Sequence, residues 1–202
     1  MKNKETCIIL AAGASSRMGC NKMLLPWNNK TILSSVICTV KNTGLLPLVV
    51  LGYCADAILH EISQYVDDSK SSIVIHENWQ HGMITSIQAG MLHGGENSYW
   101  LLHGDMPCLT SNMLETIIAS MKKIEREKYD VVFPQYNNQY GHPVWVSRSL
   151  YNDILRLPQG ERFRPFLETK KSIGVEVPFQ AITMDIDTRE TYDHYCKLYG
   201  SS

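Results

Sequence analysis

An excess of charge of either sign is missing from this sequence. Its 19 lysines and arginines are balanced by 20 aspartates and glutamates, for a formal net charge of -1. A nucleic-acid binder usually shows a basic surplus or a basic stripe, and neither is present, so nucleic acid is set aside as a partner. The densest charged stretch, Lys122 to Lys128, mixes signs and reads as a solvated helix face. Metal-ligand spacing is missing as well. The six cysteines (7, 20, 38, 54, 108 and 196) contain no Cys-x-x-Cys, and the seven histidines form no recognisable ligand pairing. That argues against structural zinc and against a disulfide framework. No apolar run is long enough for a membrane span or a signal h-region: the one that follows the polar stretch Met1 to Thr6 stops at Gly13. The expectation is a cytoplasmic protein with no membrane partner. Repeats, low-complexity segments and linkers are absent too. With 202 residues, 44% hydrophobic and 19% charged, the chain is expected to fold as one domain over residues 1–202.

What is present is a glycine loop after an apolar strand. Cys7 to Ala12 reads as a buried parallel strand that breaks at Gly13 into small residues, with Gly19 as a second hinge and Arg17 and Lys22 as two cations. Small side chains let a ligand approach the backbone, glycine permits the turns, and bare N–H groups can point at phosphate oxygens. A planar guanidinium and a compact ammonium together suit a polyphosphate. The loop is neither a Walker sequence, which needs Gly-Lys-Ser/Thr, nor a dinucleotide Gly-x-Gly-x-x-Gly.

Downstream, strands are expected at Pro47 to Leu51, Ser72 to His76 and Tyr99 to His103, and helices at Thr31 to Asn42, Ala55 to Val66, 82 to 93 and Ser111 to Glu127, the last capped by Ser111 or Asn112. This alternation predicts an α/β protein, a Rossmann-like three-layer domain with a mostly parallel mixed sheet. After residue 128 the regularity falters. Val131 to Phe133 and His142 to Val146 flank Asn137 to Gly141 as an antiparallel excursion. Helices near 149–156 and 162–169, strands near Gly174 to Val177 and Ile182 to Ile186, and a terminal helix from Glu190 complete the chain.

In an open parallel sheet, ligands bind beyond the carboxyl ends of the strands. Three chemically marked stretches sit at such ends: Gly13 to Lys22, Trp79 to Ser86 and Gly104 to Pro107. Asp105, a carboxylate at a strand end beside a phosphate loop, suits Mg²⁺, which takes one or two carboxylates plus phosphate oxygens. Asp185 and Asp187, two apart on an expected strand, share a face. Either could be the second metal ligand, Asp187 being the first choice, and the other could cap the helix that follows. Gly82 and Ser86 open a helix whose N-terminus could contact ribose, base or phosphate.

These stretches resemble the motifs of the molybdenum cofactor cytidylyltransferase family. Leu10-Ala11-Ala12-Gly13-x-Ser15-x-Arg17-Met18-Gly19-x-x-Lys22 meets every fixed position of its first motif. Gly104-Asp105-Met106-Pro107, Gly141-His142-Pro143-Val144, the Trp79 to Ile87 stretch and Asp185-Ile-Asp-Thr188 are similar to others, with Thr85 in place of a serine and Arg189 in place of a proline. Gln159 to Arg164 only loosely resembles a further Gly-Asp-x-Gly-Ala-Arg segment, so Arg162 and Arg164 are read as surface charges. The resemblance implies a nucleotide-diphospho-sugar transferase-like fold and transfer of CMP from CTP to the terminal phosphate of a phosphorylated pterin cofactor, with release of pyrophosphate. It implies Arg17, Lys22 and Asp105 as catalytic residues and Asp105 and Asp187 as Mg²⁺ ligands. Leu10, Ala11, Ala12, Gly13, Ser15, Gly82, Ser86 and His142 would be binding residues, with His142 on the acceptor side, where Ser147 or Arg148 is also available to the acceptor phosphate. Relatives that transfer GMP usually carry Leu-Ala-Gly-Gly, so Ala12 favours CTP by resemblance. A molybdoenzyme is the implied client. Transfer to a sugar or alditol phosphate, or a non-catalytic molybdenum cofactor chaperone, are the alternatives.

Overall fold

The computed structural model describes residues 5–15, 18–66 and 73–200. Strand β1 (Thr6–Ala11) is apolar toward both sides, with Ile8 in one core cluster and Cys7 and Ile9 in another, all fully buried. A strand with no polar face belongs mid-sheet between two helical layers. Accordingly, β1 pairs in parallel with both β4 (Leu46–Leu51) and β6 (Tyr99–His103), and β5 (Ile73–Ile75) extends the parallel row beyond β4. The short hairpin of β2 (Pro26–Trp27) and β3 (Lys30–Thr31) lies outside this sheet.

The far half of the sheet is where the alternation lapses. β7 (Val131–Tyr136) turns through Asn137 and Asn138, both at positive φ, into β8 (Gln139–Tyr140). β9 (Val144–Val146) then lies antiparallel between β6 and β7, and β10 (Ser172–Glu176) closes the edge parallel to β7. The result is an eight-stranded, mostly parallel mixed sheet in the order β10-β7-β9-β6-β1-β4-β5, with β8 on β7.

Helices cover both faces. α1 (Ile32–Asn42), α2 (Ala55–Ile62), α4 (Ser111–Lys123) and α7 (Arg189–Tyr199) send Val36, Ile58, Ile117 and Tyr192 into the Cys7–Ile9 side. α3 (Met83–Gly94), α5 (Tyr151–Leu155) and α6 (Phe163–Glu168) place Ile87, Ile154 and Leu167 on the Ile8 side. Each fully buried Ile or Leu contributes about 1.5–3 kcal/mol relative to exposure, so these layers hold the sheet ends in fixed positions.

Three expectations need correction. α4 ends at Lys123, not Glu127, and its cap is Thr110, whose hydroxyl accepts from the Met113 N–H. The charged stretch Lys122 to Lys128, at and beyond its end, is not simply solvated. Lys122 and Arg126 both pair with Glu5, at 2.7 and 3.0 Å, and the Arg126 guanidinium lies 4.7 Å from the Trp145 ring centre. Residues 182–186 form no strand. A 3-10 turn, Gln180–Thr183, leads into an extended segment whose Ile186 N–H donates to the Asp105 carbonyl at 3.0 Å. β6 already has β1 on one side and β9 on the other, so no ladder position remains beside it.

That turn packs tightly on Gly141. A Cβ at Gly141 would stand 2.3 Å from the Ile182 carbonyl oxygen, and the next N–H, of His142, donates to the same oxygen at 2.8 Å. Gly141→Ala is therefore expected to lower stability by about 1–3 kcal/mol, the usual cost of overpacking. A lower urea midpoint at unchanged slope is the readout; an unchanged midpoint would contradict this packing.

Candidate active site

β1, β4, β5 and β6 run in one direction, so their carboxyl ends gather at one edge of the sheet. A cleft of about 440 Å³ opens there, walled by Leu10, Ala12, Gly13 and Ser15 on one side and by Asp105, Asp185 and Asp187 on another. Lys22 stands between the two walls. It opens a short 3-10 turn, Lys22–Leu24, fixed by the Asn21 side chain accepting from the Met23 N–H. Its Nζ lies 2.5 Å from Asp105 Oδ2 and 2.8 Å from Asp187 Oδ1. Burial by itself would favour the neutral amine. The Asp105 carboxylate, then the hydrogen bonds to Asp105 and Asp187, outweigh it and hold Lys22 above the usual lysine value. Asp185 is pushed up from the usual aspartate value, first by burial and then by the charges of Asp105 and Asp187.

One carboxylate oxygen from each of Asp105, Asp185 and Asp187 lies within 4.8 Å of the others. The Oδ1 atom of Asp105 is buried without a hydrogen-bond partner among the described residues. A hard, all-oxygen donor set with one orphaned carboxylate oxygen fits Mg²⁺. Asp185 and Asp187 thus keep the shared orientation expected of them, although no strand imposes it. The residue that caps α7 is Thr188, in a reciprocal arrangement with Thr191, and not either aspartate.

The start of α3 completes the cleft. Gly82 precedes the helix at φ 102, a conformation that disfavours any side chain, and lines the cleft with Trp79, Met83 and Ser86. Thr85 does not. Its hydroxyl donates to the Gly82 carbonyl at 2.8 Å and meets His76 Nε2 at 2.9 Å, so it braces the turn. Ala11 also turns away, buried in the core at 1% exposure, so its side chain is no part of the cleft. Arg17 lies outside the described residues.

His142 lines a second cavity of about 510 Å³, which shares Leu10, Met83 and His103 with the first. The His103 and His142 rings lie 4.2 Å apart, tilted by 38°, and His142 Nδ1 is 3.2 Å from the Leu101 carbonyl. Burial, then the Lys22 ammonium, lowers His103 to about 4. Burial, then the neighbouring His103, lowers His142 to about 3. Arg162 and Arg164 are not idle surface charges: both line this cavity, and the Arg164 guanidinium lies 5.0 Å from the Phe133 ring centre. Ser147 and Arg148 are turned to other tasks. Ser147 accepts from the Ser149 N–H, and Arg148 pairs with Glu96 at 3.2 Å. Sequence reasoning also missed His103, although its place two residues before Asp105 at a strand end was a usable signal.

A small-residue loop faces a carboxylate cluster across the carboxyl edge of the sheet, and with the family match and the relatives that follow the chain falls in the nucleotidyltransferase class. Solved structures share the fold. The Mycobacterium sp. strain JC1 homologue of Mycobacterium tuberculosis Rv0371c matches at a TM-score of 0.79 and 24% identity, covering 98% of both chains. The Archaeoglobus fulgidus molybdopterin-guanine dinucleotide biosynthesis protein A matches at 0.69 and 17%, covering 96% of this chain and 97% of that one. In sequence, the chain is 33% identical over 187 residues to the molybdenum cofactor cytidylyltransferase of Escherichia coli (strain K12), covering 92% of each. Residues 7–173 match the MobA-like NTP transferase domain, and the chain belongs to that family.

Two outcomes follow from this geometry. A Cβ at Gly13 would meet no atom within 4 Å, so Gly13→Val is expected to fold normally while blocking the cleft; loss of nucleotide binding at unchanged stability checks this. His142 has a folded pKa of about 3, below the ordinary histidine value near 6.5, so the unfolded chain takes up its proton first as pH falls. Stability should decline from about pH 6.5 toward 3 with a slope of up to one proton on this account. Urea titrations of His142→Gln should show a correspondingly shallower decline.

Proposed function

We propose that this chain acts as one nucleotidyltransferase domain that transfers CMP from CTP to the terminal phosphate of a molybdopterin-type cofactor and releases pyrophosphate. The observation that carries this reading is a pair of cavities sharing one wall, with Lys22 and Asp105 in the first and an apolar, arginine-rimmed chamber as the second. Two substrates laid side by side would meet at Leu10, Met83 and His103. An acceptor phosphate oxygen attacks the α-phosphorus of CTP and forms a new P–O–P link. The bond from the α-phosphorus to the bridging oxygen breaks, and pyrophosphate leaves with that electron pair. The acceptor is already anionic at neutral pH, so no general base is needed. The chain's work is alignment and charge neutralisation.

The Gly13 to Ser15 wall would receive the phosphates, Lys22 would offset charge on the α-phosphate and the departing pyrophosphate, and Gly82 and Ser86 would hold the nucleoside. Arg17 adds a second cation on the same resemblance. Asp105 and Asp187, with Asp185 beside them, would hold Mg²⁺, which when bound supplies Lewis-acid neutralisation of the phosphates. The second cavity offers a ring-shaped acceptor an apolar wall of Ile87, Leu101, Phe133, Val144 and Leu167, with Glu161, Arg162, Arg164 and Glu168 as its charged residues; the acceptor panel below separates a pterin from a sugar or alditol phosphate. Arg162 at that wall suits the acceptor's phosphate, with Arg164, whose Nε pairs with Glu168 at 2.8 Å, beside it. CTP over GTP is supported by Ala12 and by the Escherichia coli relative. Hand-over to a molybdoenzyme would follow.

Pyrophosphate release measured with CTP, GTP and ATP against molybdopterin-type and alditol-phosphate acceptors tests the assignment. CTP with the pterin should be the fastest pair. Lys22→Ala and Asp105→Asn should each lower the rate by about 10²–10³ while the circular dichroism spectrum is retained. Parent-like turnover by Lys22→Ala, or a faster rate with an alditol phosphate, would refute it.

A further inference from the structure

Lys22 is bound to groups that the transfer reaction needs for something else. Its ammonium bridges Asp105 Oδ2 and Asp187 Oδ1 at 2.5 and 2.8 Å, two of the three carboxylates whose oxygens lie within 4.8 Å of one another. The Lys22–Asp105 contact is enclosed, with side chains 11% and 10% exposed, while the Asp187 side chain is 43% exposed at the mouth of the cluster. Nζ therefore neutralises two of the carboxylates that would otherwise be turned to a divalent ion, while Asp105 Oδ1 stays without a partner among the described residues. An ammonium and a dication only a few ångströms apart repel by several times RT, even at an effective dielectric constant near 20.

We propose that Lys22 is a built-in counter-ion of the acidic cluster, engaging Asp105 and Asp187 in the ligand-free protein and releasing them only when a triphosphate offers its ammonium another anion. The inference rests on the metal-dependent nucleotidyl-transfer reading above. Lys22 is able to make the exchange because its four-carbon stem springs from the same cleft that Gly13 and Ser15 line, where phosphates would lie. The charge count points the same way. Among the described cleft residues, three carboxylates face one lysine. A free triphosphate meets that acidic wall, and a free metal ion meets carboxylates that Lys22 already engages. Each ligand removes the other's obstacle, so metal and nucleotide enter together and each strengthens the other's binding.

The test uses Mn²⁺ as the probe on the full chain, with bound and free ion resolved by electron paramagnetic resonance. Without nucleotide, the parent should bind Mn²⁺ weakly. Lys22→Met should bind it roughly 10- to 100-fold tighter, within the usual range of coupling between sites. Lys22→Gln, which keeps hydrogen-bonding capacity but no charge, should gain similarly and covers the case in which the methionine variant is unfolded. A parent-only measurement runs alongside. The melting temperature should rise with Mn²⁺ and CTP together, but not with Mn²⁺ alone or with CTP in chelator. A parent that binds Mn²⁺ alone as tightly as the variants, an equal melting shift with Mn²⁺ alone, or no shift with both ligands would each overturn the counter-ion role. Pyrophosphate release by the parent separates the two readings. Release with tight Mn²⁺ binding in the absence of nucleotide removes only the counter-ion; a gain in the variants with no release for any acceptor removes only the transferase assignment.

Discussion

The ionic contact between Lys22, Asp105 and Asp187 is the constraint on which the candidate site depends. It joins the loop after β1, the loop after β6 and the segment before α7, and so brings together residues 165 positions apart in the chain. Lys22 and Asp105 are enclosed and the Asp187 side chain is 43% exposed, so the Asp105 contact carries most of this constraint. A second tie runs beside it, from the Ile186 N–H to the Asp105 carbonyl. A third, from the Tyr192 hydroxyl to the Pro26 carbonyl at 2.7 Å, anchors α7 to β2, just after the turn that carries Lys22. The acid cluster is thus positioned by backbone and core as well as by charge.

Sheet direction supplies the rest. Because β1, β4, β5 and β6 are parallel, their carboxyl ends deliver the small-residue loop, the start of α3 and the Asp105 turn to one cleft. The antiparallel β9 does something different. It inserts between β6 and β7 and brings His142 against His103, so the second cavity opens directly beside the first. The break in the β–α rhythm after residue 128 is therefore the feature that separates a two-chamber site from a simple nucleotide cleft.

Much of this was legible because local chemistry dictates it. The run Cys7 to Ala12 has no polar face, so it had to be an interior strand before Gly13, and the observed strand is Thr6–Ala11. Tyr99 to His103 was bounded by turn residues on both sides, and its limits match the observed strand. The misses share a cause. Ile182 to Ile186 has strand-like composition, but the adjoining ladder positions were already taken, a fact set by β9. Arg162, Arg164 and Thr85 were read by residue type, whereas their roles follow from what packs against them.

By itself, the sequence determined the alternation of strands and helices, the loop after β1, the three aspartates and the family motifs, because each depends on neighbours a few positions away. Only the tertiary structure decided that Lys22 rests on Asp105 and Asp187, that Ala11 and Thr85 face away from the cleft, and that Arg164 walls a chamber of its own. Those outcomes turn on which distant segments share a small volume, and charge and packing settle that only after the sheet has closed.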